Sequence, residues 1–139
     1  MRFSLLVLIL FSILGVQGQI VDLYEKPGTK SAKQQKMLRH VVLFKFKEGT
    51  PEGKIRGVEE AFYGLTDKIP EIEGFEWGIN NSPEGLNKGF THCFFLTFAS
   101  EAARDRYLPH PDHKAFGALL SPWLEDVLVV DYWIRQGLD

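Results

Sequence analysis

Apolar and polar positions alternate from Leu38 to Phe46, with His40, Val42, Phe44 and Phe46 on one face and Arg39, Val41, Leu43 and Lys45 on the other. A period of two predicts a strand. Glu48-Gly49 breaks it, and Thr50-Pro51 then supplies a helix N-cap with proline at the first helical position. Ile55, Val58, Phe62, Leu65 and Ile69 recur at steps of three and four, one apolar stripe halted by Pro70. Phe75 to Ile79 predicts a second, shorter strand, followed by dense turn chemistry at Asn80-Asn81-Ser82-Pro83-Glu84-Gly85. Phe90 to Phe98 is the most strand-like segment: Phe90, His92, Phe94, Leu96 and Phe98 share one face, and Thr91, Cys93, Phe95 and Thr97 the other. Ser100 can cap a short helix running through Leu108 to Pro109, and Pro111 starts another that reaches about Leu120. Val127 to Ile134 closes the series as a strand.

The order strand, helix, strand, strand, helix, strand is the split βαβ arrangement. It predicts an α+β, ferredoxin-like fold: a four-stranded antiparallel sheet with helices on one face. The Phe90–Phe98 strand is apolar on both faces, and helices cover only one of them. A twin subunit is the simplest cover for the other, so a homodimer is expected.

The start of the chain has a different pattern. Arg2 precedes an almost unbroken apolar run from Phe3 to Val16, and Val16-Gln17-Gly18 places small residues at a cleavage site before Gln19. The run is too short for a spanning helix and no basic cluster follows it, so residues 1–18 read as a secretory signal peptide. No stable membrane insertion is expected after cleavage, and the location implied is secreted or periplasmic. Residues 19–36 are polar around Pro27-Gly28 and read as a flexible linker to a domain at 37–139.

Removing residues 1–18 takes away Arg2 and no acid, so the net charge of −2 becomes −3. A mildly acidic domain without a basic stripe argues against nucleic acid as a partner. The single cysteine, Cys93, cannot form an intrachain disulfide and reads as a small buried hydrophobe.

Candidate chemistry is concentrated in Tyr107-Leu108-Pro109-His110-Pro111-Asp112-His113, which holds a phenol and two of the four histidines at a helix start. The other two, His40 and His92, stand on apolar strands. If the fold brings those strands beneath the helix start, an apolar pocket with a few proton-transferring groups results. His113 has the chemistry of a general base, and Tyr107 that of a hydrogen-bond donor to a developing oxyanion. His110, extended before Pro111, suits a capping role. His40 and His92 serve equally as satisfied core residues or as pocket lining. A metal site is disfavoured, because Pro111 separates His110 from His113 and no cysteine or carboxylate completes a ligand set. No glycine-rich phosphate loop or dinucleotide fingerprint is present, so no cofactor is expected.

Several segments resemble one family. Arg39-His40-Val41-Val42-Leu43-Phe44-Lys45-Phe46-Lys47 is similar to the opening strand of the stress-responsive A/B barrel (Dabb) domain. Phe75-Glu76-Trp77-Gly78 and Asn87-Lys88-Gly89-Phe90-Thr91-His92 resemble its middle strands. His110-Pro111-Asp112-His113-Lys114-Ala115-Phe116 resembles its last helix start, and Val130-Asp131-Tyr132 its closing strand. The resemblance implies a homodimer whose sheets pack into an α+β barrel. It offers two precedents: a plant polyketide cyclase, and a plant stress protein that assembles without an established catalytic role. In the cyclase, residues matching Tyr107 and His113 act as acid–base pair, and histidines matching His40 and His92 line the pocket. Phe62, where the cyclase has a tyrosine, and Trp123 are taken here as further substrate-binding lining. The expectation is a pocket for a small apolar or carbonyl-containing molecule, with cyclase- or lyase-like acid–base chemistry. A non-catalytic stress-response or assembly protein of the same fold is the alternative.

Overall fold

The computed structural model describes residues 36–135. The predicted signal peptide at 1–18 and the linker up to residue 35 lie outside the described residues, as do 136–139. Among the described residues no helix is long and apolar enough to cross a membrane.

The elements run β1 (Leu38–Phe46), α1 (Glu52–Tyr63), β2 (Gly74–Ile79), β3 (His92–Phe98), α2 (Glu101–Tyr107), α3 (Pro111–Leu120) and β4 (Leu124–Trp133). The sheet is antiparallel throughout, in the order β2-β3-β1-β4. This is the ferredoxin-like α+β arrangement the hydrophobic pattern predicts. Register decides which side chains meet. Val42 lies opposite Phe94 on one side and Val129 on the other, while Leu43 lies opposite Cys93 and Leu128. Directly opposed residues share a face. Leu38, His40, Val42, Phe44, Phe94, Leu96 and Phe98 therefore face the helices, and all are buried.

Boundaries differ from the sequence reading in four places. Thr50 does not cap α1; its hydroxyl donates back to the Lys47 carbonyl at 2.7 Å, and Pro51 occupies the N-cap position. The helix ends at Tyr63 rather than at Pro70, because Leu65 N–H bonds Phe62 O and Thr66 N–H bonds Tyr63 O, tightening the chain into three-residue turns. The apolar stripe still continues, with Leu65 and Ile69 buried. β3 begins at His92 rather than Phe90, after a turn in which Lys88 and Gly89 have φ of 51° and 86°. The positive φ at Gly89 is a conformation that side chains rarely adopt, so glycine suits this turn. β4 begins three residues early, at Leu124, because an irregularity at Lys45/Phe46 brings Leu124 opposite Phe46.

The core centres on stacked rings. Phe62 of α1 lies 4.4 Å from Phe116 of α3 and 4.6 Å from Phe94 of β3, centroid to centroid, with Phe44 of β1 at 5.7 Å. The opposite face of the sheet carries Val41, Leu43, Phe95, Leu128, Val130 and Tyr132, with Arg39 laid over Phe95. Among the described residues no helix covers it, and Leu128, Val130 and Tyr132 are each more than 40 % exposed.

Phe62 is 1 % exposed and touches three other rings. Phe62→Ala is therefore expected to lower unfolding free energy by about 3–5 kcal/mol. Urea denaturation of the two proteins measures this, and a loss below 1 kcal/mol would mean the stack is not the centre of the core.

Candidate functional site

Residues of α2, α3 and β4 converge on one cavity beside the edge strand. Ser100 accepts a hydrogen bond from Ala103 N–H and starts α2, which ends at Tyr107. Two residues later Pro109 prevents α2 from continuing, and His110 caps α3: its Nδ1 accepts from Asp112 N–H at 3.2 Å, with Pro111 at the first helical position. His110 is thus a capping residue, as the adjoining proline predicts. His113 follows in the first turn, and its ring lies 4.3 Å from that of Tyr107.

Between these helices and β4 lies a cavity of about 460 Å³. Its walls include Val42, Phe44, Phe62, Phe116, Val127 and Val129, and its polar groups are His40, Tyr107, His113, Ser121 and Asp131. Tyr107 is fully buried, and its hydroxyl has no hydrogen-bond partner among the described residues. Burial pushes the phenol well above its ordinary range, so it stays protonated and can act as a donor. The two imidazoles flank it, His40 at 5.9 Å and His113 at 4.3 Å between ring centroids. The Leu108 carbonyl accepts from His113 Nδ1 at 2.9 Å, which leaves the Nε2 lone pair of the neutral ring free. His40 Nδ1 donates to Asp131 Oδ1 at 2.6 Å across the β1–β4 ladder, so its Nε2 is likewise the basic nitrogen.

Of the residues singled out from the sequence, His40, Phe62, Tyr107 and His113 come together around this cavity, and two do not. His92 faces the helices but on the β3 side of Phe44, where Glu59 bonds Nε2 at 3.0 Å and Thr91 bonds Nδ1 at 2.8 Å. Both nitrogens are occupied. Its ring borders a separate, larger hollow of about 630 Å³ under the 80–90 loop, which contains neither Tyr107 nor His113. Trp123 follows α3 in the turn to β4 and packs against the core beneath the Lys54 ammonium, outside the lining of the Tyr107 cavity. Asp131 is the lining residue that sequence reasoning left without a role. Its signal was visible, as an acid directly after the apolar run Val127–Val130, on the face that also carries Val127 and Val129. Among the described residues, no group of three or more His, Cys, Asp or Glu is placed to hold a metal ion.

Comparison with known proteins places this geometry in context. The family profile of the Stress responsive A/B Barrel Domain (Dabb) matches residues 38–134. The stress-response A/B barrel domain-containing protein HS1 of Arabidopsis thaliana is 37% identical over 95 residues, covering 68% of this chain and 87% of that protein. Olivetolic acid cyclase of Cannabis sativa is 27% identical over 99 residues, 71% of this chain and 98% of the cyclase. Among solved structures, the hydroxynitrile lyase of Passiflora edulis aligns with a TM-score of 0.71 at 25% identity, covering 76% of this chain and 99% of the lyase. A dimeric protein of ferredoxin-like fold from Bacteroides fragilis aligns with a TM-score of 0.59 at 28% identity, covering 70% and 96%.

Burial holds His40 below the ordinary imidazole value of 6.5, opposed only in part by the bond to Asp131. Between the folded and unfolded values the unfolded chain binds the extra proton, so stability rises with pH there. The contribution of His40 is complete above the unfolded value and falls away as pH drops below it. Denaturation at about pH 7.5 and about pH 5 should therefore show a larger acid loss in the parent than in His40→Gln. Equal losses would mean that His40 does not carry this linkage.

Proposed function

Because this chain belongs to the stress responsive A/B barrel (Dabb) family, we propose that it is an exported homodimer whose cavity binds a small apolar or carbonyl-containing molecule and moves protons on it without a cofactor. The observation that carries this reading is the Tyr107 hydroxyl: buried, partnerless and flanked by two imidazoles on the wall of an apolar cavity. A polar group buried without a partner costs free energy, and a ligand oxygen would recover it. In an enolisable carbonyl compound held there, His113 Nε2 takes a proton from the carbon beside the carbonyl. Tyr107 donates to the carbonyl oxygen as negative charge develops on it. The apolar walls exclude water and strengthen both interactions. A cyclase and a lyase among the relatives support this reaction class. The second reading, a non-catalytic stress-response or assembly protein, is favoured by the resemblance to the Arabidopsis stress-response protein.

The activity test follows the loss of an enolisable β-polyketone. His113→Ala is expected to lower kcat/KM by about 10²–10⁴-fold, whereas His110→Ala should act mainly on stability through the lost cap. Tyr107→Phe should lower turnover with Tm unchanged or slightly raised, since it removes a hydroxyl that has no partner. Small, equal effects from all three with tight ligand binding would indicate a carrier. No turnover and no binding across a panel of carbonyl compounds would favour the assembly reading.

Export and assembly are tested together. The open sheet face, with Val41, Leu43, Phe95, Leu128, Val130 and Tyr132, fits a second copy of itself, and structural neighbours are dimeric. Protein recovered from the exported fraction should begin at Gln19, and light scattering should give twice the chain mass at about micromolar concentration. A full-length membrane-bound chain would overturn the export assignment, and a stable monomer the dimer.

A further inference from the structure

We propose that Arg104 is a positioning residue of this site: by holding one oxygen of Asp131 it commits the other to His40, and so fixes the imidazole that faces the cavity. The catalytic part of this inference rests on the proton-transfer reading above; the orientation of His40 does not.

The geometry is a relay across three elements. Asp131 of β4 receives His40 Nδ1–H of β1 on Oδ1 at 2.6 Å, and Arg104 Nη1–H of α2 on Oδ2 at 2.9 Å. The guanidinium is held from behind, since its Nε and Nη2 both donate to Asp105 Oδ1 at 3.1 Å and 2.9 Å. A carboxylate with one partner can rotate and exchange its oxygens. With both oxygens engaged by fixed donors it cannot, and the imidazole is held with Nδ1 as donor and Nε2 as acceptor. An exposed Arg–Asp pair would contribute little. This one differs in its third member, because His40 is 5 % exposed and loses orientation if Asp131 turns away.

Charge points the same way. The titratable groups around His40 are Asp131 from β4, Arg104 and Tyr107 from α2, and His113 from α3, while Leu96 and Phe98 of β3 carry none. Asp131 favours the imidazolium and Arg104 opposes it. A guanidinium on the far oxygen compensates the carboxylate, leaving it able to orient the ring without driving its protonation. Burial is the main cause that keeps His40 neutral, and Arg104 adds to it by offsetting part of the Asp131 charge.

The test uses the full mature protein with Arg104→Gln and Arg104→Lys. His40 is followed by the NMR titration of its ring Cε1 proton, assigned by its loss in His40→Gln. In Arg104→Gln the midpoint should rise, and Arg104→Lys should restore most of the change by returning the positive charge. If a β-polyketone is turned over, kcat/KM should fall in Arg104→Gln and recover in Arg104→Lys, because the His40 ring beside Tyr107 is no longer held in the glutamine variant. An unmoved His40 midpoint in Arg104→Gln, with native dispersion of the spectrum, would overturn the proposal and make Arg104 a surface ion pair. If Arg104→Gln fails to fold, Arg104→Met is titrated in its place, and an unmoved His40 midpoint there would overturn the proposal equally. If no variant turns over any substrate, the proton-transfer reading fails, and the titration alone still decides what Arg104 does.

Discussion

The rings of Phe44, Phe62, Phe94 and Phe116 are the contact on which the rest of this domain depends. They come from β1, α1, β3 and α3, and Phe62 lies within 6 Å of each of the other three. Offset and tilted ring pairs add about 0.5–1.5 kcal/mol each beyond the area they bury. That stack seats α1 and α3 on the middle of the sheet. It also leaves the edge strand β4 without a helix directly above it, and the cavity is the space that remains. Phe44, Phe62 and Phe116 are therefore both core and pocket wall. The rigidity of the site and the stability of the fold come from the same atoms.

Buried polar groups on the helix-facing side fall into two kinds. His92 is closed off, with Glu59 on one nitrogen, Thr91 on the other and Trp77 stacked alongside. It ties α1 to β3 and has nothing left to offer a ligand. His40, Tyr107 and His113 are incompletely satisfied, each retaining a nitrogen or hydroxyl without a hydrogen-bond partner among the described residues. The difference is one of partners, since His40 and His92 are equally buried.

β4 serves the cavity wall and the open sheet face at once. Val127, Val129 and Asp131 line the cavity, and the residues between and after them, Leu128, Val130 and Tyr132, carry the open face. A strand whose alternate residues line a cavity and an open face cannot shift register by one residue without exchanging them. Pairing with β1 from Leu38 to Phe46 holds that register, and the hydrogen bond from His40 to Asp131 adds a side-chain constraint within it.

Much of this was legible in the chain itself. Period-two alternation marked β1 and β3 and assigned their faces, because a pleated strand gives alternate residues to opposite sides regardless of what lies there. The Pro111 step marked the start of α3 and the capping role of His110, since proline restricts the residue before it locally. The end of α1 was not legible: Leu65 and Ile69 keep the apolar stripe going, and only the three-residue hydrogen bonds after Tyr63 show that the helix has already tightened. Nor could alternation separate His40 from His92, two histidines on apolar strand faces. The sheet order β2-β3-β1-β4 separates them, placing His40 beside the uncovered edge strand and His92 beneath α1. Asp131 shows the same limit most plainly, for its partner His40 is 91 residues away. Local patterns determine which face a side chain takes. Which groups meet on that face depends on strand pairing and helix seating, and those are settled only when the whole core packs.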